Sequence, residues 1–247
     1  MSSSSHDSAA LPISATMAQL RRRKREATQN LLGSTIAISD EDWQQDSRLP
    51  GWTRAHVATH LARNADALTR VVHGFLTHNP AQLYPDQAER ERELEQGSLR
   101  GALELQIDLD TSAGMLNSVF GYLEESGADD EVLLAPGLRM PVNWLPVARL
   151  NEVVLHHIDL DCGFTATDVA ADIARWLLEW HCLRLSGRED FPTLRIASTS
   201  GLRTRVGAGE EGPEVHGSDA ALLGWLTGRG DAEALVGAPE IENLELP

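Results

Sequence analysis

Two helically spaced pairs are the residues best suited to chemistry. Glu152 and His156 stand in Glu-Val-Val-Leu-His, an E-x3-H spacing, and His56 and His60 form an H-x3-H pair in another apolar stretch. At 3.6 residues per turn, positions i and i+4 share one helix face, one turn apart. A carboxylate and an imidazole so placed can grip one metal ion. Either histidine of the other pair completes the set if the two helices pack side by side, and spacing alone does not choose between them. Three protein ligands with a fourth position open mark a catalytic zinc site rather than a structural one. Leu150, Val153, Val154, Leu155 and Ile158 surround the E-x3-H pair. An unpaired carboxylate there is costly, so Glu152 needs a cation or hydrogen bonds. A plain pairing of Glu152 with Arg149 or His156 is the alternative to metal. Asp159 shares the face of His156 and can accept from a ligand imidazole, fixing its orientation. His157 points about 100° away from His156 and reads as structural.

These residues need helices to position them, and the pattern is helical from about Ile13 to Leu185. A first helix is expected over about Ser14–Ile38, then a short turn capped by Ser39 and bearing Trp43. Thr53 caps a long helix to about Leu76, with Val57, Leu61, Leu68, Val71, Val72 and Phe75 as its buried stripe. Asn79-Pro80 ends it. Glu89-Arg90-Glu91-Arg92-Glu93 reads as a charged segment, with a third long helix beginning after Gly97 and running towards Leu123. Residues 126–143 read as a loop with a short extended piece, containing Pro136-Gly137. The helix of Glu152 and His156 spans about Pro146 to Asp161, and another runs from about Thr167 to Leu185.

The composition changes after residue 186. Leu194–Ser198 and Leu202–Val206 alternate like strands around a Thr-Ser-Gly turn, Glu214–Gly217 reads as a third strand, and Ser218 caps a helix to Leu226. The expected organisation is a tail over 1–12, a helical domain over 13–186 and a small α/β domain over 191–247, an α+β chain.

The net charge of −16 argues against nucleic acid or an anionic membrane as the main partner. Arg21-Arg22-Arg23-Lys24-Arg25 reads as a solvated helix face. No apolar run reaches the roughly 18 residues of a membrane span. Residues Met1 to Ala10 lack the charged and apolar regions of a secretory signal and read as a disordered tail, so a cytoplasmic location is expected. Cys162 and Cys182 fit no zinc ribbon or CxxC spacing and read as free thiols. Cys162 lies close to the metal-bearing helix, but a small buried hydrophobe is the simpler reading. H-E-x-x-H, Walker A and G-x-S-x-G are absent. Gly207–Gly212 matches G-x-G-x-x-G literally, but Pro213 follows, Glu210 and Glu211 would repel a pyrophosphate, and no helix begins there.

The stretch Leu49-Pro50-Gly51-Trp52-Thr53-Arg54, continuing through His56-Val57, His60-Leu61-Ala62 and Asn64-Ala65, resembles the signature of the mycothiol-dependent maleylpyruvate isomerase family. Arg149-Leu150, Glu152-Val153 and His156 to Leu160 agree with it, as does Gly217 to Gly230 with its Gly-Arg-Gly ending. The resemblance implies a DinB-like four-helix-type bundle followed by a small α/β, SCP2-like domain. It implies a zinc ion held by His60, Glu152 and His156, and mycothiol as the thiol partner. Arg90 and Arg229 match the family's substrate-handling arginines, and Arg229, from the small domain, implies an active site in an interdomain cleft. The implied reaction is isomerisation of maleylpyruvate, a small dicarboxylate, to fumarylpyruvate by addition and elimination of a zinc-activated thiolate. A mycothiol S-transferase acting on another electrophile would share the metal and thiol half. A zinc- or thiol-binding protein without catalysis is the third reading.

Overall fold

A computed structural model describes residues 11–125, 130–135 and 138–239. The expected tail over Met1–Ala10 and the turn at Pro136-Gly137 lie outside the described residues. The chain divides into two compact units, Thr16–Cys162 and, with Pro12–Ala15 added, Gly163 onward.

The first unit contains α1 (Met17–Thr35), α2 (Asp40–Trp43), α3 (Arg54–Leu76), α4 (Gln87–Ser98), α5 (Ala102–Glu125) and α6 (Leu145–Asp159). Helices α1, α3, α5 and α6 pack on one another as a four-helix bundle, and α4 packs on α3. Thr53 starts α3 by accepting from the His56 backbone N–H, while the His56 ring accepts from the Thr53 N–H, a reciprocal cap. Its stripe of Ala65, Leu68, Val71 and Val72 meets Leu116 and Phe120 of α5. In α6, 12 of 15 residues are buried, so this is the interior helix of the unit rather than an amphipathic surface one.

Three features depart from the sequence reading. The charged segment around Arg90 is helical: Asp86 caps α4 by accepting from the Glu89 N–H, and a Cβ at Gly97 would overlap Thr59 of α3. The bare glycine lets α4 and α3 approach closely. The loop after α5 carries a hairpin, β1 (Glu131–Ala135) paired antiparallel with β2 (Leu138–Pro141). Its Leu134 carbonyl accepts from the Leu83 N–H at 3.2 Å, fastening the α3–α4 connection. Finally, Lys24 is not solvated: it is 4% exposed, donates to Asn117 and lies 4.3 Å from the Phe120 ring.

The second unit holds α7 (Ala171–Leu185), β3 (Leu194–Ser198), β4 (Arg203–Val206), β5 (Glu214–Gly217) and α8 (Asp219–Leu226). The sheet runs β4-β3-β5, antiparallel on one side and parallel on the other. Leu178, Cys182 and Leu185 of α7 share a core with Ile196, Val206, Val215, Leu222 and Trp225. The expected division at residue 186 therefore differs from this one at Cys162/Gly163, because α7 buries its apolar face on the sheet and α8. Burial pushes the Cys182 thiol up to about 12, and Cys162 is partly exposed rather than buried. Neither forms a disulfide among the described residues. Among the described residues no helix is long and apolar enough to cross a membrane.

Candidate metal centre

Helices α3 and α6 pack side by side and bring His60, Glu152 and His156 together, with one possible ligand atom from each lying within 4.8 Å of the others. The His60 Nε2 is 3.1 Å from Glu152 Oε2, and the His156 Nε2 is 3.4 Å from the same oxygen. The two imidazoles meet edge to face at 4.7 Å between centroids. Asp159 is 1% exposed and its Oδ2 lies 2.8 Å from His156 Nδ1. An Nδ1–H donated to that carboxylate leaves Nε2 as the ring atom that faces Glu152 and that would face a metal once its own proton is lost.

The choice between the histidines is made by the start of α3. His56 spends its Nδ1 on the Thr53 N–H at 3.2 Å, while its Nε2 is 3.7 Å from exposed Glu95. One turn later His60 faces Glu152, and the Trp52 ring stands 5.5 Å from it. Arg149 does not ion-pair with Glu152 among the described residues. Its guanidinium donates to the Leu61 carbonyl at 2.9 Å and to Asn64 Oδ1 at 2.7 Å, tying α6 to α3 just beneath the site. Burial lowers the Arg149 guanidinium to about 10, which leaves it a cation at neutral pH. His157 is buried, as its structural reading requires.

The electrostatics suit a divalent cation. Burial pushes the His60 imidazole down and outweighs the Glu152 hydrogen bond, so its value falls below the ordinary 6.5. Burial also pushes the Glu152 carboxyl up, but the hydrogen bonds and charges of His156 and His60 win and hold it well below the ordinary 4.5. Burial alone would lower His156, yet the bonds to Asp159 and Glu152 raise it above 6.5. Its place in the last turn of α6 favours the same cation. The metal-free triad thus combines a His60 that stays neutral to lower pH than a free imidazole, an anionic Glu152 and a His156 that keeps its proton to higher pH. Two imidazoles and a carboxylate are a zinc donor set, and the His156 proton stands where a cation's charge would go.

Metal uptake should therefore release a proton. Below the raised value of His156 close to one proton per metal is expected, falling towards zero as pH rises through that value. Titration calorimetry in buffers of different ionisation enthalpy measures it; no buffer dependence at pH 6.5 would show that His156 is not a ligand. Asp159→Asn should keep the fold but weaken metal binding about 10- to 100-fold, because the amide no longer fixes the imidazole or raises its basicity. A competition titration with a chromophoric chelator reads this directly, and unchanged affinity would remove Asp159 from the site.

The two arginines expected at the site fall in different units. Arg90, in the first turn of α4, has its guanidinium 4.6 Å from the Tyr84 ring, and its charge helps to lower His60. The neighbouring Arg92 is exposed. Arg229 follows α8 in the second unit, where Gly228 takes φ of 70° and the Arg229 guanidinium donates to the Thr227 carbonyl at 2.7 Å. Tyr84, Trp52 and the inward grip of Arg149 on α3 were not expected as site features. Trp52, Asn64 and Arg149 lie inside the stretches that carry the resemblance; Tyr84 had no such signal.

No curated protein matches the sequence. Two solved structures, of the mycothiol-dependent maleylpyruvate isomerase and of a histidine-to-alanine mutant of it, match with a TM-score of 0.83. Each is 23% identical, and the match covers 94% of this chain and 98% of the other. At that identity the likeness establishes the α+β fold. Residues 24–161, which include all three members of the triad, match the mycothiol maleylpyruvate isomerase N-terminal domain. That span is more than half of the chain, and the protein belongs to the mycothiol maleylpyruvate isomerase family.

Proposed function

We propose that the protein is a mycothiol-dependent cis–trans isomerase that converts maleylpyruvate to fumarylpyruvate, with His60, Glu152 and His156 holding a zinc ion. The observation that carries this reading is the convergence of the three donor groups within 4.8 Å, in a protein of this family. When bound there, zinc supplies the Lewis acidity that keeps a coordinated thiol in its thiolate form near neutral pH.

The chemistry asks four things of the chain. Isomerisation needs rotation about a carbon–carbon double bond. Addition of a sulfur nucleophile forms a carbon–sulfur bond, sends the π pair to the neighbouring carbonyl as an enolate, and leaves a single bond that turns. Collapse of the enolate expels sulfur with its electron pair and restores the double bond in the trans geometry. The protein must therefore hold two ligands unprotonated, which burial does for His60 and the paired hydrogen bonds do for Glu152, while the third, His156, gives up its proton to the incoming ion. It must fix the ligand orientation, which Asp159 does for His156. It must clamp the substrate carboxylates and offset the enolate charge, roles we assign to Arg90 and Arg229 for the fixed fork of the guanidinium.

Adding maleylpyruvate to the zinc-replete protein, with and without mycothiol, tests the reading. Thiol-dependent formation of fumarylpyruvate is expected. No conversion while zinc stays bound would overturn it and point to a thiol S-transferase acting on another electrophile.

A further inference from the structure

Tyr84 carries a phenol hydroxyl that is buried and meets no hydrogen-bond partner among the described residues. A buried donor without an acceptor is costly, and so rare that each one calls for a reason. Asn64 and Arg90 approach the hydroxyl, yet neither meets it with hydrogen-bond geometry. The Asn64 oxygen accepts from Arg149 at 2.7 Å, and the Tyr84 hydroxyl does not meet it with hydrogen-bond geometry. Arginine has no acceptor to offer a phenol in any case.

The place of this hydroxyl is specific. The Leu83 N–H bond to Leu134 fastens the backbone next to Tyr84, and Asp86 caps α4 two residues beyond it. The Arg90 guanidinium lies over the Tyr84 ring at 4.6 Å, so the ring also sets where that cation stands. Arg90 is close enough to His60, and Tyr84 close enough to Glu152, for each to feel the other's charge. The Tyr84 ring thus stands beside a cation whose charge reaches the metal triad, in the same unit as both. Burial raises the phenol above its ordinary 10.0, so at neutral pH it is an O–H donor.

A donor beside a guanidinium, with no acceptor among the described residues, is suited to an oxygen that arrives from outside. We propose that Tyr84 contacts substrate: its O–H donates to an oxygen of the anionic substrate held by Arg90, forming a carboxylate subsite with it. This rests on the isomerase reading for the identity of the substrate, though not for the chemistry of the subsite, which takes a carboxylate oxygen. The substrate oxygen satisfies the phenol, and the pair discriminates against substrates that lack an acceptor at that position.

Tyr84→Phe tests the proposal, because it keeps the ring under Arg90 and removes only the hydroxyl. Three quantities are read in wild type and variant: melting temperature, affinity for maleate as a cis dicarboxylate probe, and kcat and KM for maleylpyruvate with mycothiol. Metal content should be unchanged and the variant should melt at the same or a higher temperature, since an unpaired buried donor is gone. Maleate affinity and kcat/KM should each fall about 10- to 100-fold, the value of one hydrogen bond to a charged group. A purely structural Tyr84 would leave both at wild-type values, and that result overturns the proposal. If wild type binds maleate and the variant does not, but neither isomerises maleylpyruvate, the subsite stands and the isomerase reading falls. If wild type neither binds maleate nor isomerises, both fall.

Discussion

Replacing His60 or His156 by alanine should strip the metal and stop turnover while the helical unit stays folded. Losing an outer partner of a metal ligand typically costs 10- to 100-fold in affinity, so losing a ligand itself should cost more than about 100-fold. The bundle has a separate source of stability in Leu68, Val72, Leu116, Phe120 and Leu145, none of which needs the metal. The metal-free protein should therefore give an unchanged helical circular dichroism spectrum. Its melting transition should lie near that of the chelator-treated wild type. Metal analysis after dialysis is the deciding measurement: one zinc per chain retained by either variant would refute the ligand set. The proton release expected on loading should disappear in His156→Ala and persist, at reduced affinity, in His60→Ala, because His60 is already neutral.

Arg229→Ala should have the opposite profile: metal retained and catalysis lost. A cation that stabilises charge formed only during reaction acts on the transition state, and removing one such donor costs about 100- to 1,000-fold in rate. Arg229→Lys should rescue little, because an ammonium cannot reproduce a two-pronged grip on a carboxylate. Steady-state kinetics beside metal analysis separates this from ligand loss, and an unaltered rate would remove Arg229 from the mechanism. Arg90→Ala should also retain metal, and it should weaken maleate binding as well, since Arg90 stands over the Tyr84 ring in the carboxylate subsite proposed above.

The parts of the fold visible in the sequence are those whose signal is local. Thr53 announces the start of α3, the apolar stripe its length, and Ser218 the start of α8. Helix α4 was hidden because Glu89 to Glu93 carries no apolar periodicity; it is held by the Asp86 cap and by the close approach of Gly97 to Thr59. The packing of α7 on the sheet was hidden for another reason, since its apolar face reads the same whichever neighbour covers it. The order β4-β3-β5 likewise depends on pairing that strand alternation does not encode. At the site, Glu152 and His156 were legible from spacing, but His56 and His60 were equivalent in spacing alone. The distinction lies in His56 turning back to its own helix cap. Tyr84 was invisible because a single aromatic in a connection has no pattern. The literal G-x-G-x-x-G also finds a physical meaning. A Cβ at Gly207, where φ is 79°, would come 2.7 Å from the Thr193 Cα, so what this glycine approaches is its own chain.

The candidate ligands His60 and Glu152 are 92 residues apart in sequence and come from two helices. An ion held by both would therefore staple a long loop of chain, and a coordinated loop loses closure entropy that the opened chain would otherwise regain. Stability then follows mass action: above the dissociation constant, each tenfold rise in free metal adds about 1.4 kcal/mol to the folded state. The melting temperature of this protein should thus drift with the metal content of its buffer, and a stability quoted without that concentration would have no fixed meaning.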